Sequence, residues 1–150
     1  MSATDAPGVK ELHERCSPES LHLRYLGPYP RIGERVIGFL TDPAKGTSLV
    51  TVENDRVVAM TNVMNTQSPG VVEVAFLVED RWQGQGLGTA LLQRAVSLAT
   101  AKGAKELTAC MFGTNRRMIR LLAGAGARLP ERFGQVIEVR LPLSAGAPCR

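Results

Sequence analysis

A chain of 150 residues with 44% hydrophobic and 21% charged content has enough material for one packed domain and too much apolar surface for disorder. No basic segment leads into an apolar one at the start, and no apolar run reaches the roughly 18 residues of a membrane span, so a cytoplasmic protein without membrane contact is expected. The net charge of +4 is unevenly spread, with seven basic and eleven acidic side chains in residues 1–80 against eight and one in residues 81–128.

In chain order, Thr4-Asp5-Ala6-Pro7 supplies an N-cap and an early helical proline, which predicts a helix over 5–15 behind a flexible 1–4. Ser17-Pro18-Glu19 repeats that grammar for a second helix ending near Tyr25, where Gly27-Pro28-Tyr29-Pro30 must stop it. Residues 31–40 read as a third helical piece before Pro43 and Gly46 restore extended chain. Segments 48–52 and 57–63 are β-rich, and Asn54-Asp55 between them reads as a hairpin turn. A third antiparallel strand is predicted over 71–78. Beyond a glycine-rich turn comes a helix over 87–100, with Leu87, Leu91, Ala95 and Leu98 at helical spacing toward the sheet. A strand over 107–111, a helix over 116–123 and a strand over 135–141 follow, and the small residues of 144–150 should fray.

The glycine turn, Gln83-Gly84-Gln85-Gly86-Leu87-Gly88, lies between a strand and a helix. Glycines let the backbone turn sharply and approach a ligand, while the first helical turn offers unpaired N–H groups and the positive end of its dipole. This is an anion cradle. A Walker loop is excluded because no Gly-Lys-Ser/Thr follows, and a dinucleotide fold is disfavoured because G-x-G-x-x-G is absent and little chain remains afterwards. Arg81, Lys102, Lys105, Arg116, Arg117 and Arg120 add positive charge for a ligand with several phosphates. Nucleic acid is a poor candidate for that ligand, since aromatics form 5% of the chain and no reading motif is present.

The spacing Gln-x-x-Gly-x-Gly, preceded by Arg81-Trp82, resembles the acyl-coenzyme A signature of the GNAT superfamily of N-acetyltransferases. The strand Val72-Glu73-Val74-Ala75-Phe76-Leu77-Val78 resembles that family's fourth strand, and Asn115 with Gly126 its coenzyme-contacting helix. Most of residues 17–142 can be laid on the fold. Ser17-Pro18-Glu19-Ser20-Leu21 and Glu73-Val74-Ala75-Phe76 are most similar to the bacterial Pat-type protein lysine acetyltransferases. The resemblance implies an α/β (α+β) fold with a mixed, mostly antiparallel sheet between helices. It also implies acetyl-coenzyme A as donor and an amine as acceptor. One departure stands out: relatives begin with a strand before the first helix, whereas here the chain opens almost at that helix. A missing edge strand would leave the next one exposed, inviting a homodimer or another partner.

Acetyl transfer needs a neutral amine, and a lysine with pKa near 10.4 is neutral only about once in 2,500 molecules at pH 7, equivalent to roughly 4.6 kcal/mol. A general base recovers part of this. Glu73 is the candidate: alternation places it with Val71, Ala75 and Leu77 in an apolar row where water should be scarce. The resemblance makes this glutamate the base, acting directly or through water. It also implies that the backbone of Phe76, Leu77 and Val78 holds the pantetheine arm, and that Gln83, Gly84, Gln85, Gly86, Leu87, Gly88 and Thr89 supply donors to the pyrophosphate. Asn115 reads both as an N-cap and, through the resemblance, as a pantetheine contact. Trp82 reads as packing. Leu122 stands where many relatives carry a tyrosine acid, so a tyrosine mechanism is not expected.

Cys16, Cys110 and Cys149 are odd in number and lack metal-type spacing, so neither disulfide nor metal is expected. Cys110 reads as a buried, inert strand cysteine, and His13 and His22 as surface or helix-face residues. The acceptor is read as a protein lysine, with a small-molecule amine or amino acid as the alternative. A non-catalytic acyl-coenzyme A binding module is the third reading.

Overall fold

The computed structural model describes residues 1–144. In order come α1 (Ala6–Arg15), α2 (Pro18–Tyr25), α3 (Glu34–Thr41), β1 (Gly46–Glu53), β2 (Arg56–Asn65), β3 (Val71–Val78), α4 (Leu87–Ala101), β4 (Glu106–Phe112), α5 (Arg116–Gly124) and β5 (Val136–Pro142). Short 3-10 turns lie at Ala3–Asp5 and Asp80–Trp82. Every helix and strand expected from the sequence is present. The largest change is at α3, which starts at Glu34 rather than Arg31 because Gly33 stays extended as its N-cap. The frayed segment expected over 144–150 falls almost entirely outside the described residues.

Local chemistry explains the boundaries. Ser17 Oγ accepts from the Ser20 amide at 3.1 Å and Pro18 opens α2, which ends at Leu26 in the left-handed region. Asn54 and Asp55 both have positive φ, 49° and 60°, as a tight two-residue hairpin between right-twisted strands demands.

The sheet order is β1-β2-β3-β4-β5, antiparallel throughout except for β3 with β4. Parallel neighbours need a crossover, and α4 provides it. β3 and β4 pair only from Val71↔Glu106 to Glu73↔Thr108 and then part. Past Glu73, the β4-facing edge of β3 has no strand beside it.

Helices cover both faces. α4 and α5 pack on one, where Leu92, Ala95, Ala99 and Leu122 meet Val72, Val74, Leu107, Met111 and Val139. α1, α2 and α3 cover the other, where Val9, Leu12, Leu21, Ile37 and Leu40 meet Val57, Met60 and Leu77. β2, roofed on both sides, is buried from Val57 to Val63. On α4 the buried residues are Leu91, Leu92, Ala95 and Ala99, so Leu87 and Leu98 sit at the margins of the stripe.

Among the described residues no strand precedes α1, and β1 forms a sheet edge. The Met1 ammonium donates to the Ser48 carbonyl on that strand at 3.0 Å. His13 is not a surface residue: it is 4% exposed, its Nδ1 donates to the Val9 carbonyl at 2.7 Å and its Nε2 accepts from the Tyr25 hydroxyl at 2.6 Å. His22 is exposed and stacks on Phe112 with ring centroids 4.9 Å apart.

Candidate active site

Where β3 and β4 part, a cavity of about 450 Å³ opens, floored by Val74 to Val78 and walled by the glycine turn, α5 and α2. At one end the turn is held by glycine geometry. Gly84 and Gly86 have φ of 72° and 85°, and a Cβ built on either meets no atom within 4 Å, so open space lies in front of the backbone. Gly86 is the N-cap of α4 and no side chain caps that helix, leaving its first-turn amides for an incoming anion. These features fit the diphosphate of a coenzyme. A Cβ built on Gly88 would stand 3.6 Å from Leu121, so α5 lies close to the start of α4 at this point.

Side chains secure the turn from outside. Gln83 donates through Nε2 to the Val78 carbonyl at 2.9 Å and to Ser20 Oγ at 3.0 Å, while its Oε1 accepts from Arg117 at 2.6 Å. Asp80 accepts from the Ser17 amide and hydroxyl and from the Ser20 hydroxyl. Partial burial works against ionisation of its carboxyl, but those hydrogen bonds outweigh it and hold the pKa below the ordinary value. Glu79, 7% exposed, pairs with Arg15 at 3.1 Å and Arg81 at 3.3 Å. Gln85 is committed locally, donating to the Arg81 carbonyl at 2.6 Å. Leu87 is half-buried and Thr89 lines the cavity. Trp82 is half-buried with the Arg81 guanidinium over its ring.

Phe76, Leu77 and Val78 line the cavity on the unpaired stretch of β3. Asn115 also lines it and caps α5, accepting from the Met118 amide at 3.2 Å. Leu122 is fully buried beneath the sheet, so that position belongs to the core.

The other end of the split is made of side chains. Glu73 is exposed, not sealed in an apolar row: Leu77 lies under the α1–α3 layer, but the row runs out to solvent by Glu73. Glu73 does not itself line the cavity, but it precedes Val74 and its Oε2 stands 3.9 Å from Cys110 Sγ; Val74 and Cys110 both line it, so the carboxylate borders the cavity at its rim. Cys110 is exposed rather than buried; on β4 it points away from the α4–α5 layer that covers Ala109 and Met111. Desolvation, then Glu73 and Glu138, raise its pKa, so it is a protonated thiol and a poor acyl carrier. Cys16 is buried and its thiol is pushed up to about 12, chiefly by burial. No group of three or more metal-ligating side chains occurs among the described residues, and none of their helices is long and apolar enough to cross a membrane.

The basic residues divide. Arg117 and Arg120 line the cavity, whereas Lys102 follows the far end of the 15-residue α4, about 22 Å from the glycine turn, where it bonds Thr47. Lys105 lies beside Gly70, at that same far end.

The sequence reading missed Arg24. Its Nη2 donates to Asn62 Oδ1 at 2.6 Å, and Asn62 Nδ2 donates to Ser48 Oγ at 2.9 Å, a polar chain with Asn62 and Ser48 both buried. A signal existed: Arg24 stands three residues after buried Leu21, on the inward face of α2.

A sheet split beside an uncapped, glycine-led helix marks an acyl-coenzyme A fold. The family described as "Acetyltransferase (GNAT) family" matches residues 7–127, and the chain belongs to that acetyltransferase family, whose donor is acetyl-coenzyme A. Among solved structures, the GNAT domain of S. lividans PAT is similar at 26% identity and a TM-score of 0.85, over 95% of this chain and 88% of that one. The ribosomal-protein-S18-alanine N-acetyltransferase from Escherichia coli shares the fold at 18% identity and a TM-score of 0.74, over 98% and 93%. So does a phosphinothricin acetyltransferase from Sinorhizobium meliloti, in complex with AcCoA, at 21% and 0.77, over 100% and 89%. No curated protein sequence matches the chain.

Proposed function

We propose that this acetyltransferase acetylates the side-chain amine of a protein lysine, with Glu73 as general base. The observation that carries this reading is the placement of Glu73: an exposed carboxylate at the rim of the cavity, where the free edge of β3 begins. A flexible lysine on a macromolecule can reach such a rim. Glu73, directly or through a water, takes the proton from the acceptor ammonium and leaves a neutral nitrogen.

Bound acetyl-coenzyme A supplies the activated acetyl thioester. The chain's part is to hold it: backbone amides of Gln83 to Thr89 for the diphosphate, the unpaired edge at Phe76, Leu77 and Val78 for the pantetheine arm, and Asn115 beside it. Leu122 in the core and the protonated Cys110 favour direct attack without a tyrosine acid or an acyl-cysteine.

A small-molecule amine is the second reading, favoured by the walled cavity on which α2 closes. Incubation with acetyl-coenzyme A and a panel of lysine peptides, folded proteins and small amines, read by mass spectrometry, separates the two. Turnover concentrated on protein lysines is expected. Turnover confined to small amines would overturn the lysine assignment while leaving the acetyltransferase intact.

A further inference from the structure

Arg24 stands out because no carboxylate pairs directly with it, Glu73 acting on it only from a distance. Among the described residues no carboxylate lies within 4.0 Å of its guanidinium, whose described hydrogen bond goes to the neutral amide of Asn62. Its Nε is buried without a partner. The guanidinium also lies over the Tyr25 ring, 4.6 Å from the centroid. Desolvation lowers its pKa, with Tyr25 and then Glu73 opposing that effect. A desolvated cation whose near partners are a neutral amide and an aromatic face is costly unless an anion completes it.

Location says which anion. Arg24 lines the cavity with Ala75, Leu77 and Cys110, on the α2 wall and within the electrostatic reach of Glu73. The phosphates of a coenzyme belong at the glycine turn, where Gly84, Gly86 and Arg117 line the same cavity. The buried Asn62–Ser48 pair props the guanidinium from behind, as a fixed recognition group requires. A guanidinium fork is suited to planar carboxylates.

We propose that Arg24 binds a carboxylate carried by the amine acceptor. The carboxylate has two sources, an acidic side chain flanking the acceptor lysine in a protein or the α-carboxylate of a free amino acid. Glu73 and Arg24 then form a pair of opposite charges that orients the acceptor, amine toward the first and carboxylate toward the second. The assignment rests on the acceptor entering at the Glu73 rim, as in the function proposed above.

Two acceptor pairs test it with the intact chain: a lysine peptide with glutamates beside the lysine against the same peptide with glutamines, and free lysine against lysinamide. Acceptor binding is read as the shift in melting temperature with coenzyme A present, which needs no turnover, and kcat/KM is read alongside. In the wild type, the carboxylate member of one pair should be favoured by about tenfold to a hundredfold, the range of a charge-assisted hydrogen bond. Preference in the peptide pair assigns the acidic side chain, and preference in the lysine pair assigns the α-carboxylate. Arg24→Met should erase the preference and Arg24→Lys keep part of it, while the melting shift caused by coenzyme A alone stays unchanged. Equal binding within both pairs by the wild type overturns the proposal without any variant, even if acetylation proceeds. So does Arg24→Met weakening both members of a pair equally. A preference seen in binding without turnover would instead sustain the carboxylate site and sink the proposed reaction.

Discussion

At the glycine turn, the groups that face the cavity are backbone amides, freed because Gly84 and Gly86 adopt positive φ and because nothing caps α4. At the Glu73 end they are side chains, Glu73 from β3, Cys110 from β4 and Arg24 from α2, and none of them is a neighbour of another in sequence. A backbone site tolerates change in most of its side chains but not in its glycines. A side-chain site can be retuned by single substitutions.

The comparison breaks most sharply at Gly86. Gly86→Val forces a β-branched residue to φ near 85° and fills the space before the helix, at a strain of about 1–3 kcal/mol. Saturating acetyl-coenzyme A at 100 times Kd should stabilise the wild type by about 2.7 kcal/mol, read as a rise in Tm, and the folded variant should lose that rise. A variant that keeps it would show that the turn is not the donor cradle.

A smaller effect sharpens the electrostatic side. Arg120→Gln should weaken coenzyme A about twofold to fivefold at low salt, less at high salt, and leave a phosphate-free pantetheine analogue unaffected. Lys102→Gln and Lys105→Gln should change nothing, because both lie at the far end of α4. Titration calorimetry at two salt concentrations checks all three. Equal losses from the arginine and the lysines would mean that the basic side chains act only through net charge.

The smallest effect concerns the helices beneath the acceptor side. Burial lowers the pKa of His13, against the favourable hydrogen bond to Val9 and with help from nearby Arg24. The unfolded chain then binds a proton that the folded one refuses, so this stabilisation is full above an unfolded value near 6.5 and is lost as pH falls toward the lower folded value. Urea unfolding at about pH 7.5 and about pH 5 should show the loss in the wild type and a shallower one in His13→Gln. Identical pH slopes would remove His13 from the account.

The glycine turn was legible in sequence because glycine placement is itself the signal: a left-handed turn leading a helix can hardly be written in other residues. The elements were legible because proline and serine punctuation, β-branched runs and helical periodicity agreed with one another. The Glu73 end of the cavity was less so. Glu73 was placed on the correct face, but how far the α1–α3 layer extends over that face is a packing outcome, and it left Glu73 in solvent. The exposure of Cys110 has the same origin. Lys102 and Lys105 are near the turn in sequence but not in space, because the length of α4 separates them from it. Arg24, Asn62 and Ser48 come from three elements, and only their pairing in space makes them a unit.

The proposed role of Glu73 is tested most directly by the pH dependence of turnover in Glu73→Gln with a lysine peptide. The substitution keeps the shape and removes the basicity, so the coenzyme-induced melting shift should persist while kcat/KM near pH 7 falls by about 10² to 10⁴. As pH rises toward the acceptor pKa of about 10.4, the amine loses its proton unaided and the deficit should shrink. Wild-type turnover by the variant at every pH, or a deficit that stays constant as pH rises, would contradict a base at this position.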